Sequence, residues 1–192
     1  MPSGKSLDRS QAQRWNSGVV SLLDPEHYAV VEGIWDELDE ELGLRGVKGA
    51  PWPHIAHQLG DYDLAVLPGI LEKLAAATPP FVIETTGLGV FSGLEPVLYV
   101  PVVRTAELSE FQRLLWTAVG TACRNASDDY WVSNWVPHIT LAAGDLDAGN
   151  LAEAIKLLSA RRFDWRVTID NLAYIDAGYE GQDLRLRHDM TG

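Results

Sequence analysis

Several features are scarce in this sequence. There is one cysteine, Cys123, so no intramolecular disulfide can form. It falls in a helix-like stretch with Leu114, Leu115 and Val119, which predicts a buried thiol. No window approaches the ~18 consecutive apolar residues of a membrane-spanning helix. Positive charge is short: 15 Lys plus Arg stand against 27 Asp plus Glu, a net charge of −12. Such a chain repels phosphodiester backbones and anionic headgroups, which excludes long duplex nucleic acid and membranes as expected partners. Met1 to Asn16 carries Lys5, Arg9 and Arg14 but no apolar h-region. It is read as a disordered polar tail rather than a secretory signal, with residues 17–192 as one domain and a cytoplasmic location expected.

What is present suits a folded globule. The composition is 46% hydrophobic and 22% charged, and seven Trp stand out for this size. Trp is large and amphipathic, suited to core packing and to pocket walls. Gly18 to Leu23 reads as a strand. Asp24 and Pro25 read as the N-cap and first residue of a helix that runs through Val30, Val31, Ile34, Leu38 and Leu42 to Gly43. The acidic run Asp36 to Glu41 on that helix reads as a solvated face. His54 to Leu59 reads as a strand, Leu64 to Ala77 as a helix, and Phe81 to Thr85 as a strand that Gly87 to Phe91 continue past a bulge. Val97 to Val103 returns as the partner strand. In the second half, Ala106 to Arg124 and Leu151 to Ala160 read as helices, and Asn125 to Val136 as a loop. Ile139 to Ala142 reads as a strand, Arg162 to Ile169 as another that Leu172 to Ile175 continue, and Asp183 to His188 as a half-exposed last strand. Interleaved strands and helices in two loosely similar halves predict an α+β or α/β class.

One feature repeats. Trp52-Pro53-His54-Ile55-Ala56 and Val136-Pro137-His138-Ile139-Thr140 each place Pro-His-Ile at the start of a strand, half a chain apart. Proline tolerates a strand start because no ladder donor is needed there. Residues i and i+2 share a strand face, so His138 and Thr140 point together, as do His54, Ala56 and Gln58. Two lobes packed about a pseudo-twofold axis would bring both imidazoles to one cleft. There one histidine can take a proton from an attacking water while the other gives one to the leaving oxygen. His57 faces the other way on a regular strand. A metal site from His54, His57 and Asp61 or Asp63 would need a helix or sharp bend, and no metal or other cofactor is expected. His27 and His188 are expected at the surface.

These residues resemble the 2H phosphoesterases, or 2′-5′ RNA ligase-like proteins, which carry one His-x-Thr/Ser motif in each lobe. His138-Ile139-Thr140 matches the motif, and His54-Ile55-Ala56 keeps the histidine without the hydroxyl. The resemblance implies the α+β class, with two pseudo-symmetric lobes of antiparallel-rich sheet and flanking helices around a central cleft. It implies that His54 and His138 are the catalytic acid–base pair and that Thr140 binds phosphate. Gln58 or Arg104 could stand in for the hydroxyl missing at Ala56. Trp52, Tyr130, Trp131 and Trp135, near the motifs, are candidates for stacking on a base. The function implied is a metal-independent phosphoesterase acting on a 2′,3′-cyclic phosphate, a 2′-5′ linked small nucleotide or a short RNA end. The chain is expected to be a monomer. The alternative is a protein of the same fold that binds a nucleotide or phosphometabolite without turnover, which the alanine at 56 favours.

Overall fold

The computed structural model describes residues 17–177 and 182–192. The tail expected over residues 1–16 lies outside the described residues. The chain runs β1 (Gly18–Leu22), α1 (Pro25–Leu42), β2 (His54–Leu59), β3 (Asp61–Tyr62), α2 (Leu67–Ala76), β4 (Phe81–Glu84) and β5 (Gly89–Phe91). It continues through β6 (Val97–Pro101), α3 (Ala106–Val119), β7 (Cys123–Arg124), β8 (His138–Ala142), α4 (Asn150–Leu158), β9 (Arg166–Ile169), β10 (Asn171–Ala177) and β11 (Gln182–Asp189). Seven strands form one sheet in the order β11-β10-β1-β2-β8-β6-β5, and β3–β7 and β4–β9 form two-stranded ribbons. Every pairing is antiparallel. With its four helices this is an α+β fold. The two halves seen in the sequence share one sheet, four strands meeting three at the β2–β8 seam.

Local chemistry sets the elements. Asp24 accepts a hydrogen bond from the His27 amide at the start of α1, Pro25 opens the helix, and Gly43 closes it at φ 70°. Val31, Ile34, Trp35 and Leu38 make the buried stripe of α1; Leu108, Phe111, Leu115 and Val119 make that of α3. These stripes join Ile55, Ile139 and Leu141 in the main core. Each fully buried leucine of this kind stabilises the fold by about 1.5–3 kcal/mol relative to exposure.

Three expectations change. The strand at Phe81 does not continue into Gly89–Phe91. β4 pairs with β9 outside the large sheet, and Gly87, at φ 55°, turns the chain before β5 pairs with β6. Nor does β9 continue into β10. The Asn171 amide group bonds both the amide and the carbonyl of Leu22, each at 2.9 Å, and docks β10 on β1. Cys123 is not in a helix: α3 ends at Val119, and the thiol lies half-buried in β7. The acidic face of α1 is partly neutralised, since Lys48 bridges Asp36 and Asp39, Arg45 bonds Asp39, and Arg161 bonds Glu37.

Candidate active site

The two Pro-His-Ile strands are neighbours at the seam. β2 and β8 run antiparallel, and their one registered pair is Ile55 with Ile139. Both isoleucines are buried in the main core. Alternation therefore turns His54, Ala56, His138 and Thr140 to the opposite face of the sheet. In this register His54 stands across from Thr140, and His138 across from Ala56. The histidines are diagonal neighbours, which on a regular ladder puts them about 7–8 Å apart, with the Cβ atoms somewhat closer.

Each imidazole is held by the same local device. His138 Nδ1 bonds the carbonyl of Val136 at 2.7 Å, and His54 Nδ1 bonds the carbonyl of Trp52. A carbonyl only accepts, so each Nδ1 carries the proton and each neutral ring keeps an unprotonated Nε2. The intervening prolines leave their own carbonyls to the neighbouring strands: Leu23 donates to Pro53 at 3.1 Å and Val102 to Pro137 at 3.0 Å. Burial pushes the His54 pKa down to about 4, with the neighbouring His138 adding to the shift and the Trp52 carbonyl opposing it. Burial also lowers that of His138 against the opposing pull of the Val136 carbonyl. Both rings are neutral at pH 7 in the free protein. Among the described residues no hydrogen bond is made to the Thr140 hydroxyl or to Nε2 of His54 or His138.

Two tryptophans wedge the seam from the core side. Trp135 Nε1 donates to the Ala56 carbonyl at 2.9 Å, and Trp35 Nε1 donates to the Thr140 carbonyl at 3.1 Å. Both indoles are buried. The third residue of each motif thus has its carbonyl satisfied by an indole, from α1 in one case and from the loop before β8 in the other. Trp135 presents no face to a nucleobase; its place in the core corrects its reading as a stacking residue.

The other sequence-derived candidates separate by location. Trp52 is half-buried beside His54, packed on Val20, Leu22, Ala173 and Ile175, and its Nε1 donates to the Gln182 carbonyl at 3.1 Å. Tyr130 packs against the main core, and burial and Asp129 push its hydroxyl pKa up to about 12. Trp131 lies 47% exposed on the outer side, edge-on to Trp116 of α3 at 5.3 Å. Both belong with α3 and the core face rather than with the histidines. Gln58 leaves the expected face because β2 carries a bulge: Val19 pairs with Gln58 but Val20 with Ala56. Val19 belongs to the main core, so Gln58 is turned there, fully buried, with neither amide atom bonded among the described residues. It cannot replace the hydroxyl missing at Ala56. Arg104 does not reach the site either; it bonds the carbonyls of Val132 and Trp135 and holds that loop.

His57 faces away from His54, as alternation expects, and is buried on the core face. Gln112 Nε2 donates to the carbonyls of His57 and Tyr130, at 2.7 and 2.9 Å, so Gln112 Oε1 accepts from His57 Nδ1 at 3.2 Å. His57 Nε2 then accepts from the Ser21 hydroxyl at 2.9 Å. Burial pushes its pKa down to about 4, against the Gln112 bond. His27 is half-buried against Trp165 and Asp24, and His188 Nε2 is buried, so neither is a plain surface residue.

Two site-face residues escaped the sequence reading. Tyr99 of β6 pairs with Thr140, and its ring lies 5.1 Å from that of His138. Phe91 of β5 is edge-on to His138 at 4.9 Å. The available signal was Gly89: a Cβ there would stand 2.4 Å from the Tyr99 ring, so the glycine makes room for an aromatic lying across β5.

A seven-stranded antiparallel sheet with paired histidine motifs at its seam defines a phosphoesterase-type fold of the 2H class. The chain belongs to the 2′-5′ RNA ligase superfamily, whose family profile matches residues 26–178. No curated protein sequence matches the chain. Among solved structures it is similar to TT0787 of Thermus thermophilus, at 18% identity and a TM-score of 0.64, over 92% of this chain and 98% of that one. It is also similar to E. coli LigT in complex with 3′-AMP, at 15% identity and a TM-score of 0.60, over 93% and 98%. LigT in complex with NADP+ matches at 15% identity and a TM-score of 0.59, over 93% and 99%. At these identities the likeness shows the fold. Among the described residues no helix is long and apolar enough to cross a membrane.

Proposed function

We propose that this protein is a metal-independent phosphoesterase that opens a 2′,3′-cyclic phosphate or cleaves a 2′-5′ linkage in a small nucleotide or short RNA end. The observation that carries this reading is the matched pair of imidazoles, each fixed through Nδ1 and each offering Nε2 on the face that holds Thr140. The cleft would lie over the seam. One neutral histidine takes a proton from water as its oxygen attacks phosphorus. The bond from phosphorus to the leaving ribose oxygen breaks, and the other histidine, protonated once phosphate is bound, gives that oxygen its proton. Thr140 donates to a non-bridging oxygen as charge grows there. Trp52, beside His54, supplies a stacking surface. Small nucleotides suit a chain of net charge −12 better than long nucleic acid does. The LigT relative, seen with 3′-AMP and with NADP+, binds ligands of that size.

A second reading rests on Ala56, which leaves one corner of the site without a donor. In that reading the protein binds a nucleotide or phosphometabolite and does not turn it over. Assays with 2′,3′-cyclic AMP and a 2′-5′ linked diadenosine in EDTA separate the two. Turnover that His54→Ala and His138→Ala each reduce by roughly 10²–10⁴ supports the enzyme. Binding of either nucleotide with no turnover supports the binder.

A further inference from the structure

Resting on the phosphoesterase reading, we propose that Phe91 is a nucleobase platform on the His138 side of the phosphate, opposite Trp52 on the His54 side. The preferred substrate is then a phosphodiester that carries a nucleoside on each side, rather than a cyclic mononucleotide.

Phe91 is half-buried, and one face of its ring is backed by Tyr99, with centroids 4.2 Å apart and planes at 29°. Tyr99 is itself held down. It is 8% exposed, and it lies across Gly89 so closely that any side chain there would collide with its ring. The platform therefore has a rigid floor and needs no ordering when a ligand arrives. Its edge-on contact with His138 ties it to the reacting group. β5 is the edge strand of the sheet, and among the described residues no further strand pairs beside Phe91 in the sheet plane.

The opposite wall is built differently but to the same end. Trp52 sits immediately before the motif, and its own carbonyl holds the His54 ring. Its indole rests on an apolar floor that includes Val20 and Leu22, the residues paired with Ala56 and His54, and its Nε1 is fixed to Gln182. A phosphate at Thr140 is thus bracketed by an aromatic side chain beyond each histidine. A cyclic mononucleotide has one base and can use one wall. A linear diester uses both, and stacking is sequence-tolerant because every base offers a π-face.

The test uses 2′-5′ linked diadenosine monophosphate and two analogues, each with one base replaced by hydrogen at the ribose. Phe91→Ala is expected to raise KM for the diadenosine roughly 10- to 100-fold with kcat within about threefold. One of the two analogues, the one already lacking the base on the His138 side, is expected to lose at least tenfold less, and Phe91→Trp to restore the wild-type KM. An equal loss on all three compounds overturns the proposal, since that is the mark of a ring that only packs His138. So does no loss on any. Calorimetric Kd values for the same compounds give the same comparison if the wild-type protein binds but does not turn over. In that event the catalytic reading fails while the platform stands or falls on its own ratio.

Discussion

Ile55 pairs with Ile139 at the one registered position that joins the halves of the sheet. That pairing turns both isoleucines into the core and leaves four motif side chains, His54, Ala56, His138 and Thr140, at the corners of a small patch on the other face. Three corners carry polar chemistry and the fourth is a methyl group.

The empty corner is open to repair. Ala56→Ser places a donor opposite His138, at the position of the first motif that matches Thr140 in the second. We expect it to raise kcat/KM by about tenfold or more, since a single oxyanion-type donor is worth roughly 10²–10³. Thr140→Val should cost about 10²–10³ by the same reasoning. Steady-state kinetics on 2′,3′-cyclic AMP measure both, and an Ala56→Ser protein no faster than wild type would mean that the corner faces something other than phosphate.

The lowered pKa values of both histidines set a pH dependence. In the proposed mechanism the base must be neutral and the acid protonated. At pH 7 both rings are neutral, so productive free protein becomes more abundant as pH falls below the ordinary histidine value of 6.5. The base limb then appears towards pH 4, where His54 takes its proton. The profile of kcat/KM should peak on the acid side of 6.5. A plateau from pH 7 to 9 with a drop below 7 would contradict it.

His57 makes stability depend on pH in the same range. Its pKa is pushed down to about 4 in the fold and returns to the ordinary value near 6.5 on unfolding. The unfolded chain therefore binds the extra proton first. This contribution to stability is complete above pH 6.5 and is lost as pH falls towards 4, by up to about 3 kcal/mol. Urea midpoints at pH 7 and pH 5 should differ for the wild type and differ less for His57→Gln.

The tryptophans should sort by position. Trp135→Phe strands the Ala56 carbonyl, and Trp35→Phe strands that of Thr140, each at a cost of about 1–3 kcal/mol. Trp131→Ala, on the exposed side of α3, should cost well under either. Denaturant titration checks the order. A Trp131 variant as unstable as the Trp135 variant would refute this division of roles.

The motif pair, the cap at Asp24 and the stop at Gly43 were legible because each is a local signal, written in adjacent residues. The missed features depend on partners far along the chain. Phe81–Glu84 and Gly89–Phe91 both look like strands, but nothing within them says that one pairs with β9 and the other with β6. Gln58 obeys alternation until the bulge against Val19 and Val20 breaks it, and a bulge is set by two strands rather than one. Trp52 stands two residues before its histidine and Trp135 three before its own. Trp135 is buried under the seam and Trp52 half-open above it, a difference that their one-residue offset foreshadows but that the loop leading into each strand leaves open. Phe91 and Tyr99 lie on a short hairpin whose aromatic pairing becomes visible only when Gly89 is seen under the tyrosine ring.

The carbonyl that holds each histidine comes from two residues upstream, across a proline. Three consecutive residues thus carry a complete instruction for the ring's tautomer and aim, and need nothing from the rest of the chain to do so. Such a unit survives copying. A duplicated half arrives with its histidine already oriented, and only the third position of the motif, where this chain has alanine once and threonine once, is left free to diverge.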